Sequence, residues 1–304
     1  MTAPTTGTLD QVKAPTTPRV RGGRRRADLL GVLPFFVFVA VFLFIPTLVV
    51  VIGAFGGDDG RPTFANIQAL ADGYIVDAFV RSITLSALTA VLGAAVGALV
   101  AYAVVTAGPD SVVRRLVTSA CGVLAQFGGV TLAFAFIATI GISGFVTVFL
   151  RDSLGVDIFS GGVWLFDLPG LVLVYTYFQI PLMVIVFLPA LDGVRPQWRE
   201  ATESLGGSTW YYWRHVAGPL LAPAFLGSTL LLFANAFSAY ATAAALVSQG
   251  SPIVPLQIRS ALTSEVLLGR ENLGKAMALG MVVVVALVMW LYGLLQRRTS
   301  RWLD

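Results

Sequence analysis

Residues 200–223 read EATESLGGSTWYYWRHVAGPLLAP, a polar, glycine-containing stretch between two long apolar segments. Its landmarks, in chain order, are Glu200, Ala201, Thr202, Gly206, Val216, Gly218 and Pro219. Most connections between helices need only a few residues. A connection of this length with its own internal pattern therefore has a structure and a role of its own.

The composition is that of a protein that crosses a membrane several times. Hydrophobic residues make up 57% of the 304 residues, charged residues make up 12%, and the mean hydropathy is +0.83. Soluble domains carry about 25% charged residues, and a membrane-spanning helix needs about 20 apolar residues. The sequence therefore predicts an all-α, polytopic membrane helical bundle. Its six predicted transmembrane helices are residues 29–54, 83–106, 116–140, 171–191, 224–247 and 273–295.

The chain lacks the residues of several kinds of chemical site. One Cys and one His are too few for a disulfide framework or a Cys/His metal site, and Cys121 is interpreted as a small packing residue. The sequence also lacks the G-x-x-x-x-G-K-[ST] loop that cradles nucleotide phosphates. We therefore expect a protein that is not an enzyme, with no catalytic residue, no metal site and no cofactor of its own.

Basic residues are unevenly distributed among the predicted loops. Both tails and the connections after the second and fourth helices carry fourteen of the 20 Lys and Arg residues. Positive charge marks the cytoplasmic side of a membrane protein, so both termini and the loop at residues 194–223 are expected in the cytoplasm. The predicted organisation is a disordered tail rich in Thr, Pro and Arg over residues 1–27, a transmembrane domain over 28–296 and a short tail over 297–304.

The 194–223 loop has the pattern of two short helices joined by a sharp bend. The first helix begins at a proline, which suits a first helical turn, and contains the i, i+4 pair Arg199–Glu203. The Gly206–Gly207 pair permits the bend. Ser208 or Thr209 is a candidate N-cap for the second, aromatic helix.

The spacing in this loop resembles the cytoplasmic EAA loop of binding-protein-dependent ABC importer permeases. That loop reads E-A-A, three residues, G, nine residues and then I-x-L-P. Gly206 and Pro219 stand where the pattern requires and Val216 stands at the Ile position, whereas Thr202 replaces the second Ala and Gly218 replaces Leu. The resemblance implies a type I importer permease fold with a coupling helix that docks in a groove of a separate ATPase. The coupling residues that it implies are Glu200, Ala201, Thr202, Glu203, Leu205, Gly206, Gly207 and Pro219.

The resemblance also implies partners and a location in the bacterial plasma (inner) membrane. The partners are a cytoplasmic ATP-binding subunit, expected as a dimer that holds the ATP and Mg, a second permease subunit, an extracytoplasmic solute-binding protein and membrane lipid, but no nucleic acid. Residues 235–258, NAFSAYATAAALVSQGSPIVPLQI, further resemble spermidine/putrescine permeases and their relatives for ferric iron. This implies a polyamine or similar small solute, with ferric iron or another small organic compound as the alternative.

Two other classes of protein compete with the importer permease. A secondary transporter or channel would act without an ATPase, and a membrane anchor or scaffold would transport nothing. The predicted helices are almost free of ionisable side chains and show no internal repeat, which disfavours a proton-coupled carrier. A scaffold would not need the polar residues that align in the third to fifth helices, so the permease is preferred.

Sparse polar and aromatic residues in those three helices mark a possible solute path. Interhelical hydrogen bonding is an equally good interpretation of such residues. We expect Asn235, Ser238 and Thr242 on one face of a continuous fifth helix. Outside the membrane, residues 161–170 form either an interfacial anchor or a packed loop. The possible path residues are Gln126, Tyr175, Gln179, Phe233, Asn235, Ser238 and Tyr240.

Overall fold

The computed structural model describes residues 24–57, 61–247, 253–263 and 271–300, with side chains from Val32 to Leu294. Within these ranges the chain is helical, and it forms no strand beyond an isolated antiparallel bridge between Gly56 and Pro62. The predicted all-α class is confirmed. Residues 1–23 and 301–304 of the two predicted tails lie outside the described residues.

The described residues contain fourteen α-helices. In chain order they are α1 (Arg24–Val39), α2 (Ile45–Ala54), α3 (Ala65–Ala69), α4 (Gly73–Thr106), α5 (Val112–Leu124), α6 (Gly129–Ile140), α7 (Phe145–Leu154), α8 (Leu168–Asp192), α9 (Pro196–Ser204), α10 (Thr209–Tyr212), α11 (Gly218–Ser238), α12 (Ala241–Leu246), α13 (Val254–Thr263) and α14 (Glu271–Ser300). Two π-helical turns, Ala40–Phe44 and Trp213–Ala217, and a 3-10 turn, Trp164–Phe166, complete the helical structure.

Six helical stretches are long and apolar enough to cross a membrane, which confirms the predicted number. Their bounds correct the prediction in two places. The second stretch begins at Gly73, ten residues earlier than predicted, and the predicted third helix is broken between Leu124 and Gly129. The six stretches are Val32–Ala54, Gly73–Thr106, Gly129–Leu154, Leu168–Asp192, Thr209–Ser238 and Glu271–Leu294.

Among the described residues, 24–49 form a compact unit by themselves. It contains α1, the first π-helical turn and the start of α2, where the Thr47 hydroxyl donates to the Leu43 carbonyl at 2.7 Å. Large apolar side chains such as Phe36 and Phe42 are exposed along it. A helix that is apolar on every side suits lipid as its surroundings.

The second unit, from Val50 onward, is built around a close contact between α4 and α8. Gly93 and Gly97 lie one turn apart on α4. A Cβ at Gly93 would lie 2.5 Å from Gln179 Cβ, and a Cβ at Gly97 would lie 2.5 Å from Met183 Cβ. Because only glycine lets two helix backbones approach this closely, the pair sets the centre of the bundle.

The other helices of this unit assemble around that contact. Helix α11 packs against both α4 and α8, and its Leu232 and Phe237 are buried there. Helix α6 packs against α12 near the buried Leu246, and α13 packs against α14 near the buried Leu273. Apolar burial therefore joins the membrane-spanning helices of this unit.

Contacts at the two ends of the unit agree with the predicted order of the loops. Arg114, after α4, pairs with Asp192, at the end of α8, so these two connections share one end. At the other end, the Asn66 side chain donates to the Gly56 carbonyl at 2.8 Å, and Ile75 clusters with Leu273. Which end is cytoplasmic stays a prediction.

The connection before α8 is a packed loop. The Leu165 side chain is buried in a cluster that includes Tyr175. The Trp164 indole N–H donates to the Ile158 carbonyl at 2.9 Å, and its ring stacks on Phe159. Of the two interpretations of residues 161–170, the packed loop therefore fits the structure.

Candidate functional site

The helix–bend–helix predicted between α8 and α11 is present. Helix α9 begins at Pro196, and α10 begins at Thr209. On α9 the Arg199 Nε donates to Glu203 Oε1 at 2.8 Å, as the i, i+4 spacing predicted. This hydrogen bond raises the pKa of the Arg199 guanidinium above its ordinary value. We call residues 196–212 the α9–α10 elbow.

Gly206 and Gly207 form the bend of the elbow as a Schellman turn. Gly206 has φ +77°, its amide donates to the Glu203 carbonyl at 3.0 Å, and the Gly207 amide donates to the Thr202 carbonyl at 2.9 Å. A Cβ at Gly207 would lie 2.6 Å from Thr202 Cγ2, whereas a Cβ at Gly206 would meet open space. The backbone conformation therefore requires the first glycine, and close approach requires the second.

Of the four consecutive aromatic residues after the bend, two pack against the helical bundle and two are exposed. Ser208 caps α10 by accepting from the Tyr211 amide at 3.2 Å, which confirms the predicted cap. Tyr212 is buried, and the Trp213 ring meets Tyr102 of α4 edge-on at 5.3 Å between centroids. Trp210 and Tyr211 are exposed. One half of this aromatic run holds the elbow to the bundle, and the other half lies on its surface.

Part of the outer surface of the elbow is apolar. Leu205, at the tip, is 89% exposed. Beside it is an open groove of about 430 Å³, lined by Trp198, Ala201, Leu205, Pro219 and Leu220 among others. Exposed apolar surface of this kind marks a place where another molecule docks.

The predicted coupling residues lie on this elbow, except Pro219, which lies at the start of α11. The structure does not test their role. Glu200, Ala201, Glu203, Leu205, Gly206 and Pro219 are exposed. Thr202 is buried, and its hydroxyl donates to the Trp198 carbonyl at 2.8 Å. The residue that departs from the EAA pattern therefore faces the bend, and Glu200 faces outward.

An ion pair joins the end of α8, which leads into the elbow, to α5. Arg114 is the third residue of α5, and its Nη2 donates to Oδ2 of Asp192, the last residue of α8, at 2.6 Å. The hydrogen bond to the carboxylate raises the pKa of Arg114 above its ordinary value. In the sequence, Arg114 indicated only which loops are cytoplasmic, and its contact with Asp192 was not predicted.

A second candidate site lies where two helical stretches are interrupted, between α5 and α6 and between α11 and α12. The gap between α5 and α6 faces the gap between α11 and α12, and a Cβ at Gly129 would lie 3.6 Å from Ala241 Cβ. Between the gaps is a cavity of about 280 Å³, which we call the gap cavity. Its lining is Ala125, Gly128, Gly129, Phe178, Asn235, Ser238, Ala239, Tyr240, Ala241 and Thr242.

The gap after α11 corrects the expectation of a continuous fifth helix. Helix α11 ends at Ser238, and the Tyr175 hydroxyl donates to the Ala239 carbonyl at 2.6 Å. The hydroxyl satisfies a carbonyl that the interrupted helix leaves without a partner. Asn235 and Ser238 border open space, whereas Thr242 is buried at the edge of the cavity.

The predicted path residues fall into two groups in this structure. Gln126, Asn235 and Ser238 are exposed, and Tyr240 is half-buried. Three others are enclosed by protein, namely Tyr175, Gln179 and Phe233. A place on a solute path stays a prediction for both groups, but only the first borders open space here.

Gln179 lies in the close contact between α4 and α8. Its side chain is fully buried, and Nε2 donates to the Thr89 hydroxyl at 3.3 Å. Its Oε1 has no hydrogen-bond partner among the described residues. In this conformation Gln179 therefore bridges two helices and does not line the gap cavity.

Comparison with known proteins supports the importer resemblance. No family model matches the chain. The chain is 26% identical over 211 residues to a ferric transport system permease protein, FbpB 1, of Haemophilus influenzae, and 27% identical over 210 residues to the ferric transport system permease protein FbpB of Actinobacillus pleuropneumoniae. These matches cover 68% and 67% of this chain but 32% and 29% of the relatives. The chain thus spans about a third of the length of the curated relatives that it matches.

Solved structures show the same fold. A chain of a bacterial ABC transporter involved in the import of the acidic polysaccharide alginate superposes with a TM-score of 0.74 at 16% identity, covering 90% of this chain and 96% of that one. A chain of the MetNI methionine ABC transporter gives a TM-score of 0.53 at 15% identity, covering 74% and 95%. The chain therefore has the fold of an ABC importer permease, and the predicted resemblance is confirmed.

Proposed function

We propose that this chain is the permease subunit of an ATP-driven importer in a bacterial inner membrane. The observation that carries the proposal is the α9–α10 elbow, a rigid turn with the exposed Leu205 at its tip beside an apolar groove. It lies at one end of a helical unit with the fold of importer permeases. An ATPase that closes on this elbow would move the helices that continue from it.

The proposal includes the partners that the sequence resemblance implied. ATP and Mg are held by a cytoplasmic ATP-binding dimer, a second permease completes the path, and an extracytoplasmic binding protein delivers the solute. Two structures of similar fold support these kinds of partner, since one is a bacterial alginate ABC transporter in complex with an alginate-bound periplasmic protein and the other is the MetNI methionine ABC transporter. Glu200 is exposed on α9, which supports the proposal that it pairs with a basic residue of the ATPase groove.

Ferric iron is the solute that the comparisons favour. Both curated relatives are named as ferric transport permeases, and the polyamine interpretation finds no support among them. Uptake of radioactive ferric citrate and of radioactive putrescine, in cells that express the chain with its neighbouring transport genes, separates the two. Uptake of putrescine but not of iron would restore the polyamine interpretation.

A surface substitution tests the role of the elbow. Leu205→Glu places a charge on a side chain that is 89% exposed, so it should leave the fold intact and weaken docking of an apolar partner. The matched control is Val113→Glu, an exposed position on α5 beside Arg114. We expect the first variant to lose co-purification of the ATPase and ATP-driven uptake, and the second to keep both. Full activity of Leu205→Glu would remove the elbow from the coupling mechanism.

A further inference from the structure

The gap cavity is partly polar, and the described residues that line it include no Asp or Glu. Its polar side chains are the neutral Asn235, Ser238, Tyr240 and Thr242. Across the ranges that the structure describes, no group of three or more His, Cys, Asp and Glu side chains could hold a metal ion. Ferric iron is a hard cation, and hard cations are held by carboxylate and other oxygen ligands. The described lining offers neutral amide and hydroxyl oxygens but no carboxylate to balance the charge of a bare trivalent ion.

A positive charge lies against one of the lining residues of this cavity, although Arg259 itself is not part of the lining. The Arg259 guanidinium carbon is 5.9 Å from the centroid of the Tyr240 ring, and Tyr240 lines the cavity. Arg259 is exposed on α13 and forms no ion pair with any residue in the described ranges. The ring holds the guanidinium by a cation–π contact and leaves its N–H groups free to donate.

The remaining polar groups at the cavity include both donors and acceptors. The Asn235 side chain makes no hydrogen bond to the described residues, so its amide can donate. The Ser238 hydroxyl already donates to the Ala234 carbonyl at 2.9 Å, so it can only accept. Helix α6 begins at the cavity, and no side chain caps its first amides. The N-terminus of a helix carries a partial positive charge, so it adds to the positive potential of Arg259.

We propose that the gap cavity binds a small oxyanion, and that iron, if it is the cargo, crosses as an anionic complex with such a ligand. Carboxylate or phosphate oxygens can accept from the Asn235 amide and the Tyr240 hydroxyl of the lining, and Arg259 beside the Tyr240 ring adds a favourable positive potential. A bare cation would meet the repulsion of Arg259, and its desolvation would have no compensating carboxylate. The second half of this proposal rests on the proposed import function, whereas the oxyanion site does not.

Binding to the purified full-length chain in lipid nanodiscs tests the site without an ATPase. The probes are citrate, inorganic phosphate, ferric citrate and, as a cation, putrescine, measured by calorimetry at concentrations up to about 10 mM to include weak sites. We expect at least one of the anions to bind and putrescine not to bind. The citrate and phosphate arms show which oxyanion the cavity prefers.

Two substitutions tie the binding to this cavity. Arg259→Gln should weaken anion binding by about tenfold, and Arg259→Lys should retain part of it. Gly128→Leu should abolish binding, because the backbone there is extended and a side chain would enter open cavity space without a clash. The matched controls are Arg151→Gln, an exposed arginine on α7, and Gly122→Leu, where added atoms also meet open space but outside the cavity.

Each outcome decides the proposal. Binding of citrate or phosphate that Gly128→Leu and Arg259→Gln remove, and that both controls keep, supports it. Putrescine binding in place of the anions overturns it, as does the absence of binding by all the anions. Anion binding that survives in Gly128→Leu places the site elsewhere and also overturns it. A loss of ATP-driven uptake in Leu205→Glu is independent of all these results, so the import function and the oxyanion site can fail separately.

Discussion

The turn between α9 and α10 can be perturbed with a single methyl group. In Gly207→Ala the new Cβ would lie 2.6 Å from Thr202 Cγ2 and 2.9 Å from the Thr202 carbonyl oxygen. Both distances are too short for van der Waals contact, and the second involves backbone that cannot rotate away. Overpacking of this kind costs about 1–3 kcal/mol, so the two helices must separate or the turn must open.

The effect should stay within the elbow, because most of its residues are exposed and contribute little to the core. A local cost of about 1–3 kcal/mol raises the open population roughly 5- to 150-fold. Amide hydrogen exchange of the chain in nanodiscs measures this opening directly. The amides of Gly206 and residue 207, which donate to the Glu203 and Thr202 carbonyls, should exchange faster by that factor.

A second substitution tests the cause. Thr202→Ser removes Cγ2 but keeps the hydroxyl, so it should restore part of the protection when combined with Gly207→Ala. Gly193→Ala is the control, since its Cβ would lie 3.3 Å from the Ala190 carbonyl and outside the turn. Unchanged exchange in Gly207→Ala would refute the close approach of Gly207 to Thr202, and with it the rigid turn on which the coupling proposal depends.

Three further predictions concern orientation, packing and nucleotide. A cysteine at Asp157 should react with an impermeant thiol reagent from outside the cell and one at Thr209 should not, since the basic loops are expected inside; the reverse pattern would invert the topology. Gly93→Ala should lower the free energy of unfolding by about 1–3 kcal/mol, because its Cβ would lie 2.5 Å from Gln179 Cβ. Gln179→Met removes a buried oxygen that has no hydrogen-bond partner among the described residues, so it should keep or raise the thermal midpoint. An equal loss of stability in both variants would contradict the packing role of this contact. The purified chain alone should bind no ATP above background, because it lacks a phosphate-binding loop, and stoichiometric binding would contradict a separate ATPase.

The elbow could be predicted from sequence because its determinants are local. A proline at a first turn, a glycine pair at a bend and a serine cap each act within a few residues of themselves. The i, i+4 pair Arg199–Glu203 follows from helix geometry alone. The number of membrane-spanning stretches is also a local property, since it depends on length and apolar composition.

The gaps between α5 and α6 and between α11 and α12 could not be predicted in the same way. Residues on both sides of the α5–α6 gap are apolar, so a hydropathy pattern reads through them as one helix. The α11–α12 gap is stabilised by the Tyr175 hydroxyl, which lies 64 residues from the Ala239 carbonyl that it satisfies. Whether Gln179 faces a cavity or a neighbouring helix likewise depends on Gly93 of α4, which the pattern of α8 does not contain.

The contact of α4 with α8 through Gly93 and Gly97 has a consequence for how the protein can move. Because these backbones touch without intervening side chains, neither helix can slide along or roll over the other without a clash. Under the proposed import function, we expect the two helices to move as one rigid body when the solute path opens to either side, with the bending confined to residues 125–128 and 239–240. Spin-label distances between α4 and α8 should then stay constant through the transport cycle, while distances from α8 to α6 or to α12 change.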